Sequence, residues 1–184
     1  MKKIIYIEFV FFTLILILFS SFLQAQDLPR LEKINKEGLT KIIDSSQADV
    51  YLVIIYTNEC RGTKYVLDEV KSYIDKYGGR IKLILCNSSF EKEMSDIPVL
   101  LKSHSINLPV TYIIDKTFYP EKRMDDRKKG YFFRNDICPE CRKDIIGVPY
   151  RLMYDKNKKL IYHGYRSPDF DRLLIENLDT TIKS

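Results

Sequence analysis

Runs of apolar residues separated by short polar segments divide the chain into alternating predicted strands and helices. A continuous β-branched and aromatic run, typical of a strand buried on both faces, lies at Val50–Tyr56. Apolar residues at helical spacing follow over Arg61–Tyr77, and Gly78-Gly79 provides a helix stop. A second apolar run predicts a strand over Arg80–Cys86. This order predicts a strand–helix–strand unit whose two strands are parallel.

Further elements are predicted on both sides of this unit. They are a helix at Gly38–Ser46, a helix beginning near Asp96 with Pro98 in its first turn, a strand at Val110–Asp115, a hairpin of Tyr150–Tyr154 and Leu160–His163, and a closing helix at Phe170–Ile182 capped by Ser167 or Asp169. Residues 116–143 lack a clear period and are predicted as an insertion, with a strand at Gly130–Phe133. One or two helical turns are predicted over Cys138–Ile146. The fold class that follows is α/β.

The first residues of the chain have the features of a targeting segment. Two lysines precede a long apolar run, and the small residue Ala25 comes before polar residues. This arrangement predicts a secretory signal peptide over residues 1–25. An uncleaved membrane anchor through residues 4–23 is the alternative, because this stretch carries one charge and is nearly long enough to span a bilayer. Both interpretations place the predicted domain, residues 26–184, outside the cytoplasm, either periplasmic or secreted.

Composition and charge narrow the possible classes of protein. The 184 residues are 45% apolar and include only seven glycines and seven prolines, which excludes a disordered or collagen-like chain. The net charge of +5 is modest and dispersed, and with an extracytoplasmic location it makes nucleic acid an unexpected partner. The sequence contains no Trp and four cysteines, too few to replace a core by disulfides. Each cysteine is therefore expected to have its own role.

Cys60 is the strongest candidate for chemistry. It falls between the strand that ends at Tyr56 and the helix that begins at Arg61. Ligands and reactive groups gather at this carboxyl edge of an open α/β sheet. A helix N-terminus favours a thiolate over a thiol, and the positive charges of Arg61 and Lys64 act in the same direction. A loop cysteine without a chemical role is the alternative interpretation.

The order of these elements resembles the thioredoxin-like superfamily. The first strand and active-site loop of that family are similar to the run VYLVIIYTNECRGTK. Its Gly-x-Pro strand, turn and strand resemble IIGVPYRLMYDKNKKLIYHGY, with Pro149 in the place of the cis-proline. The additional strand of the extracytoplasmic TlpA and redoxin branch is similar to NLPVTYIID. The resemblance implies a thioredoxin-like fold, with a central mixed sheet flanked by helices, an insertion before the cis-proline loop, and substrate contacts at Val148, Pro149 and Arg61.

Three marks of that family's active site are missing from the loop at Cys60. Glu59 replaces the usual Trp, Thr63 replaces the second cysteine, and Val66 replaces the acidic residue that TlpA-type proteins often carry. The active-site sequence is therefore a degenerate Cys-Arg-Gly-Thr, in which Cys60 and Thr63 hold the two catalytic positions. Exchange through one thiol remains possible, because a Cys60 thiolate can attack a disulfide if another thiol then releases it.

A second cysteine motif, Cys138-Pro-Glu-Cys141, lies just before Pro149. Three interpretations stay open for this pair. It can form a structural or redox-active disulfide, it can resolve a mixed disulfide on Cys60, or it can be a zinc half-site that needs two more ligands. Sequence spacing identifies no residue that would complete such a site, so no metal site and no cofactor are assigned.

The remaining cysteine and the two histidines are interpreted as structural. Cys86 ends a predicted interior strand, where a buried small hydrophobic residue is expected. His104 lies near a predicted helix end and His163 near a predicted strand end. Neither histidine is predicted to be catalytic.

Two functions of different classes follow from these residues. The first is extracytoplasmic thiol–disulfide exchange with Cys60 as the nucleophile and Cys138/Cys141 as a second redox pair. Its partners would be protein thiols or disulfides, or a membrane redox protein. The second is a catalytically degenerate thioredoxin-fold binding module, in which Cys138 and Cys141 form a structural disulfide or a zinc half-site.

Overall fold

The computed structural model describes residues 28–118, 126–143 and 147–179. The strands are β1 (Arg30–Ile34), β2 (Val50–Tyr56), β3 (Ile81–Asn87), β4 (Val110–Ile114), β5 (Tyr150–Asp155) and β6 (Leu160–Gly164). The helices are α1 (Lys36–Ser45), α2 (Arg61–Tyr77), α3 (Ile97–Ser103), α4 (Asp126–Ile137) and α5 (Pro168–Asp179). Short 3-10 helices lie at Gly78–Arg80, Glu91–Asp96, Lys116–Phe118 and Pro139–Lys143.

The targeting segment predicted over residues 1–25, with its alternative anchor, lies outside the described residues. Among the helices of the ranges given above, none is both long enough and apolar enough to cross a membrane.

A six-stranded sheet in the order β1-β4-β3-β2-β5-β6 forms the middle layer of the described residues. β2 is parallel to β3 and antiparallel to β5, so the sheet is mixed, as the family resemblance implied. β1 pairs in parallel with β4, which pairs in parallel with β3. β6 completes the other edge as the antiparallel partner of β5. The predicted parallel pairing of the first strand–helix–strand unit is confirmed.

Two apolar clusters cover the two faces of the sheet, and β2 contributes to both. Its alternate residues Val50, Leu52, Ile54 and Tyr56 pack in the first cluster, with side chains from α2, α3 and α5. The other three residues of β2 pack in the second cluster, with side chains from α1 and α4. All seven residues of β2 are buried, because successive side chains of a strand point to opposite faces.

Most predicted elements are confirmed within one or two residues. β2 and α2 begin and end at the predicted residues. α1 begins two residues earlier than predicted, because the Asn35 side chain accepts a hydrogen bond from the Gly38 amide at 2.8 Å and caps the helix. Helix α3 has Pro98 in its first turn, as expected.

The strand predicted at Gly130–Phe133 is wrong, because these residues lie inside α4. Phe133 is fully buried in the second cluster, so packing on the sheet stabilises a helix that its mixed sequence pattern did not indicate. Gly130 sits in the interior of this helix, where an added Cβ atom would lie 2.9 Å from Ser88 Oγ. Its lack of a side chain allows α4 to lie close to the end of β3.

One buried ion pair joins α2 to β5. Arg151 donates to Glu69 with an Nη2–Oε2 distance of 2.6 Å, and the two side chains are 4% and 8% exposed. Removing one member of a buried pair leaves the other charge without compensation. We therefore expect Glu69→Ala to lower the free energy of unfolding by about 3–5 kcal/mol, measured by chemical denaturation.

Asp75→Ala provides the matched control, because it removes a carboxylate from the same helix. Asp75 pairs with Lys71 at the surface, where such a pair contributes less than about 1 kcal/mol. Equal losses in the two variants would contradict the stabilising role of the buried pair.

Candidate functional site

Cys60 and the residue before Pro149 meet at one end of the sheet. Cys60 is the N-cap residue of α2, and its side chain makes no capping hydrogen bond. Its thiol instead donates to the Val148 carbonyl oxygen, with an Sγ–O distance of 3.1 Å. The Val148–Pro149 peptide bond is cis, as the resemblance implied. The fold therefore brings a partly exposed thiol against a cis-proline loop that lies 88 residues further along the chain.

Gly62 allows this close approach. A Cβ atom added to Gly62 would lie 3.0 Å from Pro149 Cδ and 3.6 Å from Cys60 Sγ. The first is closer than an ordinary van der Waals contact, so a side chain here would push the proline ring or the first turn of α2 away. Glycine at this position keeps the Cys60 sulfur beside the cis-proline loop.

Thr63 stabilises the loop at the position where the family resemblance implied a second cysteine. Its side chain is 3% exposed, and its hydroxyl donates to the Thr57 carbonyl oxygen at 2.6 Å. Its amide donates to the Cys60 carbonyl oxygen at 2.9 Å. The hydroxyl thus spans the loop from the end of β2 to the first turn of α2. Arg61, predicted as a substrate contact, is exposed beside this turn.

A polar network that the sequence interpretation missed supports the same loop. The Asn58 amide donates to Ser89 Oγ at 2.7 Å, and the Asn87 side-chain amide donates to Asn58 Oδ1 at 2.8 Å. The Ser89 amide donates to Asn87 Oδ1 at 2.7 Å. The network links the loop after β2 to the loop after β3. Its sequence signal was the polar run Asn87-Ser88-Ser89, which directly follows the apolar run predicted as a strand over Arg80–Cys86.

Cys138 and Cys141 form a disulfide, with their Cα atoms 5.3 Å apart. Both residues are 0% exposed and pack in the second cluster. α2, whose N-terminus carries Cys60, packs in the first cluster on the other face of the sheet. Of the three interpretations left open for this pair, the disulfide is the state that the structure contains.

The remaining cysteine, Cys86, and the two histidines each have different surroundings. Cys86 is fully buried in the second cluster, and this burial raises the pKa of its thiol. His104 Nδ1 lies 2.8 Å from a carboxylate oxygen of Asp68. His163 Nδ1 lies 3.2 Å from the Tyr150 hydroxyl oxygen. Cys86 is therefore a core residue, as its sequence position predicted.

A cavity of about 70 Å³ borders the cis-proline loop on the α4 side. Its lining includes Thr57, Ser88, Gly130, Arg134, Val148 and Tyr150. The guanidinium of Arg134 lies over two aromatic rings, 4.8 Å from the Tyr150 ring centre and 5.1 Å from that of Tyr131. Since Val148 lines the cavity and also accepts a hydrogen bond from Cys60, the cavity and the thiol share one loop.

Comparison with solved structures identifies the fold. A thioredoxin-like protein solved in its oxidised form has 12% identity and a TM-score of 0.53, with 83% of this chain and 95% of that chain covered. A thiol-disulfide isomerase from Corynebacterium glutamicum has 17% identity and a TM-score of 0.50, with coverage of 84% and 96%. A thioredoxin-family thiol:disulfide interchange protein from Chlorobium tepidum has 14% identity and a TM-score of 0.50, with coverage of 82% and 94%. No protein-family model and no curated protein matches the sequence. The chain therefore has a thioredoxin-like fold, while its place in the TlpA branch stays a prediction.

The surroundings of the two free cysteines predict different reactivity. We expect N-ethylmaleimide to label Cys60 in the folded protein and to label Cys86 only after unfolding, because Cys60 is partly exposed and Cys86 is buried. Peptide mass spectrometry of the native and denatured protein measures both sites. In a Cys60→Ser variant, native labelling should disappear. Fast labelling of Cys86 in the folded state would contradict its assignment as a core residue.

Proposed function

We propose that this chain exchanges thiols and disulfides through Cys60 as a single nucleophile. The contact between Cys60 Sγ and the Val148 carbonyl oxygen, 3.1 Å long, is the observation that carries this proposal. It puts a thiol at a helix N-terminus directly beside a backbone segment that precedes a cis-proline. Neighbours of the same fold that are named for thiol–disulfide chemistry support the proposal.

The proposed reaction balances with one protein thiol and one external thiol. The Cys60 thiolate attacks one sulfur of a substrate disulfide, a new S–S bond forms, and the other substrate sulfur leaves as a thiolate that takes up a proton. Because Thr63 replaces a second cysteine, a thiol of the substrate or of a small molecule must release the mixed disulfide. In the resting state the Cys60 thiol donates a hydrogen bond to the Val148 carbonyl oxygen, and this bond must break before Sγ attacks a disulfide.

The cis-proline loop is the proposed binding surface for the substrate. Val148 and Pro149 are partly exposed beside Cys60, so an extended substrate segment can reach the backbone groups of Val148 while its disulfide faces Sγ. Arg61 is exposed, follows Cys60 directly in the sequence as the first residue of α2, and offers a positive charge to the substrate.

The location and the second redox pair belong to the same proposal. The targeting segment that the sequence predicts over residues 1–25 supports an extracytoplasmic protein, and an internal disulfide fits an oxidising compartment. Its partners would then be protein thiols or disulfides, or a membrane redox protein. The 0% exposure of Cys138 and Cys141 means that redox exchange at this pair requires local opening of the segment after α4.

A binding module without turnover is the second candidate function. The hydroxyl of Thr63 serves a structural hydrogen bond to Thr57, and the buried disulfide closes the turn after α4. Both features suit a chain that keeps the surface at Val148 and Pro149 for docking but does not release a mixed disulfide. The two candidates differ in whether Cys60 turns over.

An exchange assay with reduced glutathione and a small dialkyl disulfide separates these candidates. We expect the full-length protein to accelerate the reaction and to carry glutathione on Cys60 in intact-mass spectra. Cys60→Ser should fall to the rate without protein, while Cys86→Ala, a change at a buried free cysteine, should retain the activity. Activity that survives Cys60→Ser would overturn the proposed nucleophile. An inactive wild-type protein that forms no mixed disulfide would favour the binding module.

Restoring the missing cysteine tests whether Thr63 limits turnover. The Thr63 amide donates to the Cys60 carbonyl at 2.9 Å, and the Cys141 amide donates to the Cys138 carbonyl at 3.0 Å. Because the second turn holds a disulfide, the first has a suitable backbone for one. We expect Thr63→Cys to form a bond to Cys60 when oxidised and to raise the release rate roughly tenfold or more, since release becomes intramolecular.

Thr63→Val is the control for this variant, because it removes the hydroxyl without adding a thiol. Stopped-flow measurement of mixed-disulfide release should show no gain in the valine variant. A Thr63→Cys protein that forms the disulfide but releases substrate at the wild-type rate would contradict this explanation of the missing cysteine.

A further inference from the structure

Three metal-ligating side chains converge outside the Cys60 site. The candidate ligand atoms of Cys138, Cys141 and His163 all lie within 4.8 Å of one another. These residues come from distant parts of the chain, since the cysteines follow α4 and His163 belongs to β6. Strand pairing brings them together, because His163 lies opposite Leu152, and Leu152 packs in the same cluster as the disulfide.

The three side chains supply a ligand set that suits zinc. Zn²⁺ binds thiolate sulfur and imidazole nitrogen, and sites with three protein ligands leave one position for water. In a tetrahedral zinc site of this kind the ligand atoms lie about 3.3 to 3.8 Å apart. The three ligand atoms already lie within 4.8 Å of one another, so His163 needs to move only a short distance towards the sulfur atoms. The two sulfur atoms can act as ligands only after the bond between them is broken.

We propose that Cys138, Cys141 and His163 form a redox-controlled zinc site. A dithiol transfers two electrons and two protons to the disulfide and itself becomes a disulfide, so that both cysteines become thiols. A phosphine supplies the same two electrons and becomes a phosphine oxide, while one water molecule supplies its oxygen and the two thiol protons. The two thiols then bind one Zn²⁺ and release two protons. Oxidation removes both thiolates, so the disulfide form excludes the ion. The proposal does not depend on the reaction at Cys60.

The surroundings orient the three ligands for this role. The turn of Pro139–Lys143 begins with a Cys141 amide to Cys138 carbonyl hydrogen bond of 3.0 Å, which holds both cysteines on one side of the backbone. The Tyr150 hydroxyl oxygen lies 3.2 Å from His163 Nδ1. Histidines that bind metals commonly have such a hydrogen-bond partner, which fixes the orientation of the ring. The disulfide, the tyrosine and the histidine thus form one connected site beneath α4.

Zinc titration of the full-length Cys60→Ser protein tests the proposal, since this background removes the partly exposed thiol. The protein is reduced with tris(2-carboxyethyl)phosphine, freed of metal, and titrated against a chromophoric zinc chelator. We expect the reduced form to bind one Zn²⁺ per chain and the oxidised form to bind none. His163→Ala should weaken binding at least roughly tenfold. His104→Ala, which changes the other histidine of the sequence, should have no effect.

Spectroscopy of the Co²⁺-bound protein tests for metal binding without relying on the histidine variants, which could fail to fold. Co²⁺ bound to the reduced Cys60→Ser protein should show thiolate-to-cobalt charge transfer and the visible bands of a tetrahedral ion, and circular dichroism checks the fold of each variant. Absence of these bands, or absence of zinc uptake by the reduced protein, would overturn the proposal. Uptake that is equal in folded His163→Ala and His104→Ala proteins would also overturn it.

Discussion

Burial of β2 on both faces is the constraint on which the rest of this structure depends. A strand without an exposed side needs a layer of side chains above and below it, and the chain supplies α2, α3 and α5 on one face and α1 and α4 on the other. The polypeptide leaves this strand at Tyr56 and re-enters the first layer through α2. Cys60 lies in this connection, so the sheet that organises the core also fixes the position of its thiol at the carboxyl edge.

The local sequence pattern was sufficient to predict the elements whose apolar residues form a clear run or a clear helical spacing. β2 was predicted from a continuous apolar run, α2 from apolar residues at helical spacing, and the β5–β6 hairpin from two strand-like runs on either side of a polar turn. β1 was missed because it is an edge strand in which Ile34 is the one buried residue. Part of α4, Gly130–Phe133, was predicted as a strand. The helix was missed because it is stabilised by packing of Phe133 on the sheet and its sequence has no clear helical period.

Some residues of the candidate site could likewise be predicted from the sequence, whereas others come together only through strand pairing. Cys60 was identified from its own sequence surroundings and Pro149 from the family resemblance, and the structure joins them through the Val148 carbonyl. The support from Asn58 and Asn87 depends on parallel pairing of β2 with β3, which aligns two loops at one edge of the sheet. His163 was separated from the cysteine pair by sequence spacing, and only the pairing of β6 with β5 places it nearby.

Two sulfur centres of unlike accessibility follow from the two-faced sheet. Cys60 is partly exposed at the N-terminal end of α2, whereas the Cys138–Cys141 disulfide is enclosed by the second cluster. A reagent that exchanges with Cys60 needs no change in the fold, but reduction of the buried disulfide requires the segment after α4 to separate from the sheet. The partly exposed thiol is therefore open to reagents in the folded protein, while packing protects the buried disulfide and makes its redox state depend on local stability.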